Sequence, residues 1–172
     1  GSVNVSKIKI FSLGGLNEDG KNMYIVNVDG DIFVFDSGLK YPRDRMLGID
    51  YIIPNYNYLK ENSKNIKGIF ISHGHESNMG ALSDILMDLP DVPIYGSTYT
   101  IEMIKLQLQN DGIKNANLIE VKPHFKLNFG QNSIFPISVT HSIPDSLCYV
   151  LYTENGAIVY TGDFIFDPGM DG

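Results

Sequence analysis

Apolar periodicity limits this chain to one kind of architecture. Sustained helical spacing occurs in its middle, and both flanks carry strand-like runs. Lys7 to Leu13 alternates polar and apolar residues, the period of a half-buried strand. Met23 to Val28 and Asp31 to Phe35 give two more strands around Asp29-Gly30, a hairpin signal. Leu39 to Tyr58 is an irregular loop, with a short helix over 57–62. The apolar run Ile66 to Ile71 predicts a buried strand. Apolar residues at 79, 82, 85, 86 and 89 predict a helix that Pro90 stops. Val92 to Tyr95 predicts a strand, and Thr98 to Gln109 a helix with Ile101, Ile104 and Leu108 on one face. Beyond Gly112 only strands are expected: 117–121, 125–127, 133–139, 147–152 and 157–161. Turns fall at Asn128-Phe129-Gly130 and Asn155-Gly156. A strand meander, a βαβα middle and a second meander suit a mixed α/β sandwich in which helices cover sheets.

Composition excludes several classes. At 172 residues with 43% apolar and 19% charged residues, the chain has the make-up of one globular domain. No apolar run approaches the roughly 20 residues of a membrane span. One cysteine, Cys148, allows neither an internal disulfide nor a cysteine-based zinc knuckle. A net charge of −7 argues against broad phosphate neutralisation, so any nucleic-acid binding by this chain alone should be weak and steeply salt-dependent. Gly1-Ser2 has the form of a tag remnant, leaving 3–167 as the folded portion and 168–172 as the start of a linker. No secretory signal is evident, and a cytoplasmic address is expected.

Three of the four histidines follow predicted strands. His73-Gly74-His75 follows Ile69-Phe70-Ile71 and precedes the Met79 helix. His141 follows the 133–139 strand, and Asp163 the 157–161 strand. Strand ends are where such a sandwich gathers functional side chains into a crevice. Two histidines at i and i+2 in an extended segment project to one side. Three imidazoles and a carboxylate form a sensible ligand set for zinc or manganese. Scattered loop histidines bonded to backbone are the alternative for each taken singly.

The surrounding residues carry a resemblance. Ser72-His73-Gly74-His75-Glu76-Ser77-Asn78-Met79-Gly80-Ala81-Leu82 resembles the H-x-H-x-D-H signature of the metallo-β-lactamase superfamily. Gly14-Gly15-Leu16-Asn17-Glu18-Asp19-Gly20-Lys21-Asn22-Met23 is similar to the opening glycine-rich loop of the ribonuclease J family. Leu47-Gly48-Ile49-Asp50 and Ile53-Pro54 are similar to its next segment. His141-Ser142-Ile143-Pro144-Asp145-Ser146 resembles its third metal motif, and Thr161-Gly162-Asp163-Phe164 its fourth. The resemblance runs from about Ile8 to Asp167. It implies an αββα sandwich, interrupted in the family by a β-CASP domain. It also implies a bacterial, two-metal exo- and endoribonuclease of RNA maturation and decay. On this resemblance the chain would end about where the β-CASP insertion begins, without the family histidine supplied after it.

The resemblance also implies residue roles. His73, His75, His141 and Asp163 would hold one metal, with His75 and Asp163 also catalytic. Ser77 and Asn78 stand where the signature has its Asp and last His, so the second site loses two ligands. Hydroxyl and carboxamide are much poorer ligands than carboxylate and imidazole. Glu76 occupies a variable position and is no obvious substitute. One zinc or manganese ion at most is expected, with weakened or absent hydrolysis. In this the chain resembles the second ribonuclease J paralogue of some bacteria. The implied partners are RNA, through the whole protein, and a second copy or an active paralogue.

The alternative is a non-catalytic RNA-binding or scaffolding subunit. A hydrolase of thioesters or lactams fits less well, given Ser142-Ile143-Pro144-Asp145-Ser146 and the apparent break after Asp167. Asp36 is either a support for the metal loops or a plain strand-end turn. Ser142 and Ser146 either contact phosphate or cap turns. Lys21 is expected in a solvated loop, His124 to be structural and Cys148 to be a buried small apolar residue. Tyr51, Tyr56 and Tyr58 are expected to pack rather than to stack bases.

Overall fold

A computed structural model describes residues 7–12, 23–38, 56–139 and 146–168. The first meander is present as β1 (Ile8–Ser12), β2 (Tyr24–Val28) and β3 (Asp31–Phe35), antiparallel throughout. Asp29 and Gly30 both have positive φ, as the two-residue turn requires. Helix α1 (Asn57–Glu61) and a short 3-10 turn (Ser63–Asn65) lead into β4 (Ile66–Phe70). Helices α2 (Glu76–Met79) and α3 (Leu82–Asp88) then precede β5 (Ile94–Gly96). Helix α4 (Thr98–Asn110) connects β5 to β6 (Leu118–Glu120). Ser97 caps α4 by accepting from the Thr100 N–H. Strands β3, β4, β5 and β6 are parallel and complete a six-stranded sheet in the order β1-β2-β3-β4-β5-β6.

The second meander is β7 (Leu127–Phe129), β8 (Asn132–Ser138), β9 (Leu147–Thr153), β10 (Gly156–Tyr160) and β11 (Ile165–Phe166). These strands form an antiparallel sheet in the order β11-β10-β9-β8-β7.

Two cores follow from the period of two along each strand. In β3, Ile32 and Val34 face the helices, where they join Leu59, Leu82, Ile85, Ile101 and Ile104. Phe33 and Phe35 face the other way and meet Phe70, Tyr149, Leu151 and Tyr160 between the sheets. The centre of the six-stranded sheet is thus buried on both faces, which explains the consecutive apolar residues 32–35 of β3 and 69–71 across the end of β4. Among the described residues the layers are helix, sheet and sheet. The outer face of the second sheet carries the row Phe135, Val150, Val159 and Phe166 and no described helix.

The expected 79–89 helix is broken. The Ser37 N–H donates to the Asn78 carbonyl (2.6 Å) and the Ala81 N–H to the Ser37 carbonyl (2.8 Å). These bonds to the end of β3 divert the backbone between α2 and α3. The expected 125–127 strand lies two residues later, and β11 was not anticipated. Cys148 is half-buried rather than buried, because it lies on the outer face of the second sheet. Tyr56 and Tyr58 pack as expected, Tyr56 buried and Tyr58 edge-on to Phe11. His124 is exposed, its backbone N–H donating to the Pro136 carbonyl. The glycine-rich opening segment, Lys21, the 39–55 loop with Tyr51, His141, Ser142 and the tag remnant lie outside the described residues. No helix among the described residues is long and apolar enough to cross a membrane.

Candidate active site at the strand ends

β3 delivers Asp36 into the space between the sheets. Its backbone has φ 62°, and its N–H donates to the Phe70 carbonyl at 2.9 Å. The carboxylate is wholly buried, and no cation among the described residues faces it. It accepts instead from the Ser72 N–H (2.7 Å), the Ser72 hydroxyl (2.7 Å), the Asn78 carboxamide (2.8 Å) and the Tyr160 hydroxyl. Burial pushes its pKa up to about 7, against the opposing pull of these hydrogen bonds. Through these contacts Asp36 bonds the segment after β4, α2 and β10.

β4 delivers Ser72 and His73. Ser72 is held from the second sheet, its carbonyl accepting from the Leu147 N–H at 3.0 Å. One residue earlier, the Ile71 carbonyl accepts from the Tyr149 hydroxyl at 2.7 Å. The half-buried His73 ring has Nδ1 2.8 Å from Ser72 Oγ. Burial lowers the His73 pKa; the Asp163 charge opposes that shift and His75 adds to it. His75 is exposed, and its carbonyl accepts from the Asn78 and Met79 N–H groups to start α2. Gly74 lies close to α4: a Cβ there would stand 3.2 Å from Met103 Cγ.

β10 delivers the Gly162-Asp163 turn, closed by the Thr161 N–H on the Phe164 carbonyl at 3.0 Å. Gly162 has φ 99°, and a Cβ there would fall 2.6 Å from His73 Cε1. The absence of a side chain is what admits the imidazole. Asp163 is exposed, and its carbonyl accepts from the Tyr24 hydroxyl at 3.2 Å. Asn78 is buried, and its Nδ2 also lies 3.4 Å from the Gly162 carbonyl, linking α2 to this turn. The side chains of Glu76 and Ser77 lie outside the description.

Of the described residues that flank 140–145, Val139, Ser146 and Leu147 are bonded to one another or to the site. The Val139 N–H donates to the Ser146 carbonyl at 3.1 Å, and Leu147 bonds Ser72. Ser146 itself is buried.

The structure thus brings Asp36, Ser72, His73, Asn78 and Gly162 into one network, with Asp163 and His75 close enough to act on His73 by charge. Sequence reasoning did not assign roles to Ser72, Tyr160 or Tyr149. Two of them had a local signal: Ser72 directly precedes His73, and Tyr160 directly precedes Thr161-Gly162-Asp163. Two imidazoles and a carboxylate are donors of the type that zinc and manganese accept. Among the described residues no group of three or more His, Cys, Asp or Glu side chains is placed to hold an ion.

Comparison with known proteins decides the family. The profile of the metallo-beta-lactamase superfamily matches residues 16–171. The chain belongs to this superfamily. It is 46% identical over 166 residues to Ribonuclease J 2 of Staphylococcus aureus strain MRSA252, and 43% identical to Ribonuclease J 2 of Staphylococcus saprophyticus. Each match covers 96% of this chain and 30% of the relative, so the chain spans under a third of those proteins. The superfamily fold is shared with YhfI of Bacillus subtilis, at TM-score 0.64 and 18% identity over 90% of this chain and 61% of that one. A protein of unknown function from Enterococcus faecalis V583 matches at TM-score 0.66 and 16% identity, over 93% of this chain and 44% of that one.

Proposed function

We propose that this chain is part of a cytoplasmic, ribonuclease J-like protein of RNA processing and decay, whose metal-dependent RNA phosphodiester hydrolysis is weakened by Ser77 and Asn78. The observation that carries this reading is His73, seated against Gly162 within the electrostatic reach of Asp163 and His75, in a chain 46% identical to Ribonuclease J 2. His73, His75, His141 and Asp163 would hold one zinc or manganese ion. When bound, the ion would supply Lewis-acid assistance to attack at phosphorus. Asp36 supports the site through Ser72, and Asn78 links it to the Gly162 turn.

Metal stoichiometry and RNA hydrolysis by the full-length protein test this reading. About one ion per chain, lost in His73→Ala, is expected, since two of the ligands of the second site are absent. A Ser77→Asp/Asn78→His revertant should hydrolyse RNA faster than the wild type. A revertant no more active than the wild type overturns the weakening.

One observation favours a second reading, a non-catalytic RNA-binding or scaffolding subunit that partners an active ribonuclease J paralogue. The Asn78 carboxamide donates into the buried Asp36 network. A wild type inert alone that raises the activity of the paralogue on mixing would establish that role.

A further inference from the structure

The hydroxyl of Ser72 lies between a buried carboxylate and an imidazole. It is 2.7 Å from Asp36 Oδ2, 2.8 Å from His73 Nδ1 and 3.3 Å from Asn78 Nδ2. A serine hydroxyl has one proton to give and two lone pairs to receive with. The charged Asp36 carboxylate can only accept, so the single proton goes there. The Asn78 amide nitrogen can only donate, so it takes one lone pair. The remaining contact, with His73 Nδ1, must be one in which the ring nitrogen donates.

We infer that Ser72 is a positioning residue that fixes the tautomer of His73, keeping the proton on Nδ1 and leaving Nε2 bare. A bare imidazole nitrogen is what a divalent cation or a proton donor on a substrate requires. Gly162 packs against the same ring at a distance that no larger residue permits. Asn78, which stands where the superfamily signature has a metal-ligating histidine, has a second use here. Its amide nitrogen lies 3.3 Å from the Ser72 oxygen and can only donate to it, so it makes no claim on the Ser72 proton.

The consequence for metal binding rests on the reading of His73 as a ligand; the tautomer does not. The two are separated by measuring the tautomer in the metal-free chain. Two-bond nitrogen–proton correlation spectra of histidine-labelled chain report which ring nitrogen carries the proton. They would be recorded at about pH 8.5, where histidine is neutral and Asp36 is charged. His73 is assigned by the signals lost in His73→Gln. Wild type and Ser72→Thr should both show His73 protonated on Nδ1. Ser72→Ala should shift the ring toward the Nε2-protonated form that free imidazole side chains favour. Zinc titration of the same samples should show affinity lower by about ten- to a hundredfold in Ser72→Ala, with Ser72→Thr close to wild type. A wild-type His73 protonated on Nε2 overturns the inference, and so does an unchanged Nδ1 tautomer in Ser72→Ala. The wild-type spectrum decides the matter even where Ser72→Ala does not fold. An Nδ1-protonated His73 in a chain that binds no zinc would uphold the role of Ser72 and count against the metal site.

Discussion

Gly162 satisfies two demands that no other residue meets together. Its φ of 99° strains a side chain, and a Cβ would stand 2.6 Å from the His73 ring. Gly162→Ala should therefore cost about 1–3 kcal/mol in urea unfolding and displace His73. Unchanged stability and an unchanged His73 spectrum would contradict this account. Asp36 makes a pH prediction. Its carboxyl has a pKa of about 7 in the folded chain, against about 3.9 unfolded. Between those values the folded state binds more protons, so stability from this group is complete below about pH 4 and is lost as pH rises towards about 7. The stability margin of wild type over Asp36→Asn should shrink across that window, by at most about 1.4 kcal/mol per pH unit. A margin that stays constant from about pH 5 to about pH 7.5 would show that Asp36 is charged throughout.

At the scale of elements, local chemistry explains what could be read from the sequence. The Asp29-Gly30 hairpin and the Ile101/Ile104/Leu108 face of α4 depend on neighbours in sequence, and both appear where the pattern puts them. The break between α2 and α3 depends on Ser37, which is remote in sequence and becomes adjacent only when β3 is in the sheet. The site divides in the same way. His73, His75 and Asp163 were legible because they follow strands at recognisable spacings. The contacts joining Asp36, Ser72, Asn78 and Tyr160 were not, because the stacking of two sheets sets them. Inside β4, Gly68 is held to glycine by a tertiary neighbour as well. A Cβ there would fall 2.5 Å from the Tyr95 ring, which stacks on Phe70 at 4.8 Å and meets Phe129 edge-on. Those two contacts restrict the movement of that ring. Gly68→Ala should destabilise by about 1–3 kcal/mol and change the aromatic circular dichroism, and a neutral substitution would mean that the stack is looser than its geometry.

At the scale of the molecule, two tyrosines from the second sheet reach the strand ends of the first. Tyr149 donates to the Ile71 carbonyl at 2.7 Å, and Tyr160 donates to the Asp36 carboxylate. Both rings are buried in the intersheet core, so each hydroxyl ties a sheet that carries Asp163 to one that carries His73. The two ties differ in kind. A hydrogen bond to a neutral carbonyl contributes about 1 kcal/mol net, and one to a charged group about 1.5–3 kcal/mol. Tyr160→Phe should therefore cost more than Tyr149→Phe in denaturant unfolding above about pH 8, where Asp36 is charged. Near pH 5 Asp36 is neutral, and the two costs should converge. Because Tyr149 holds Ile71 and Tyr160 acts on the adjacent Ser72 through Asp36, the double variant should lose less than the sum of the single losses. The first substitution already frees the strand end that the second would release. Strict additivity would mean that the sheets are held by their aromatic core alone, and that the hydroxyls act only on the groups they touch.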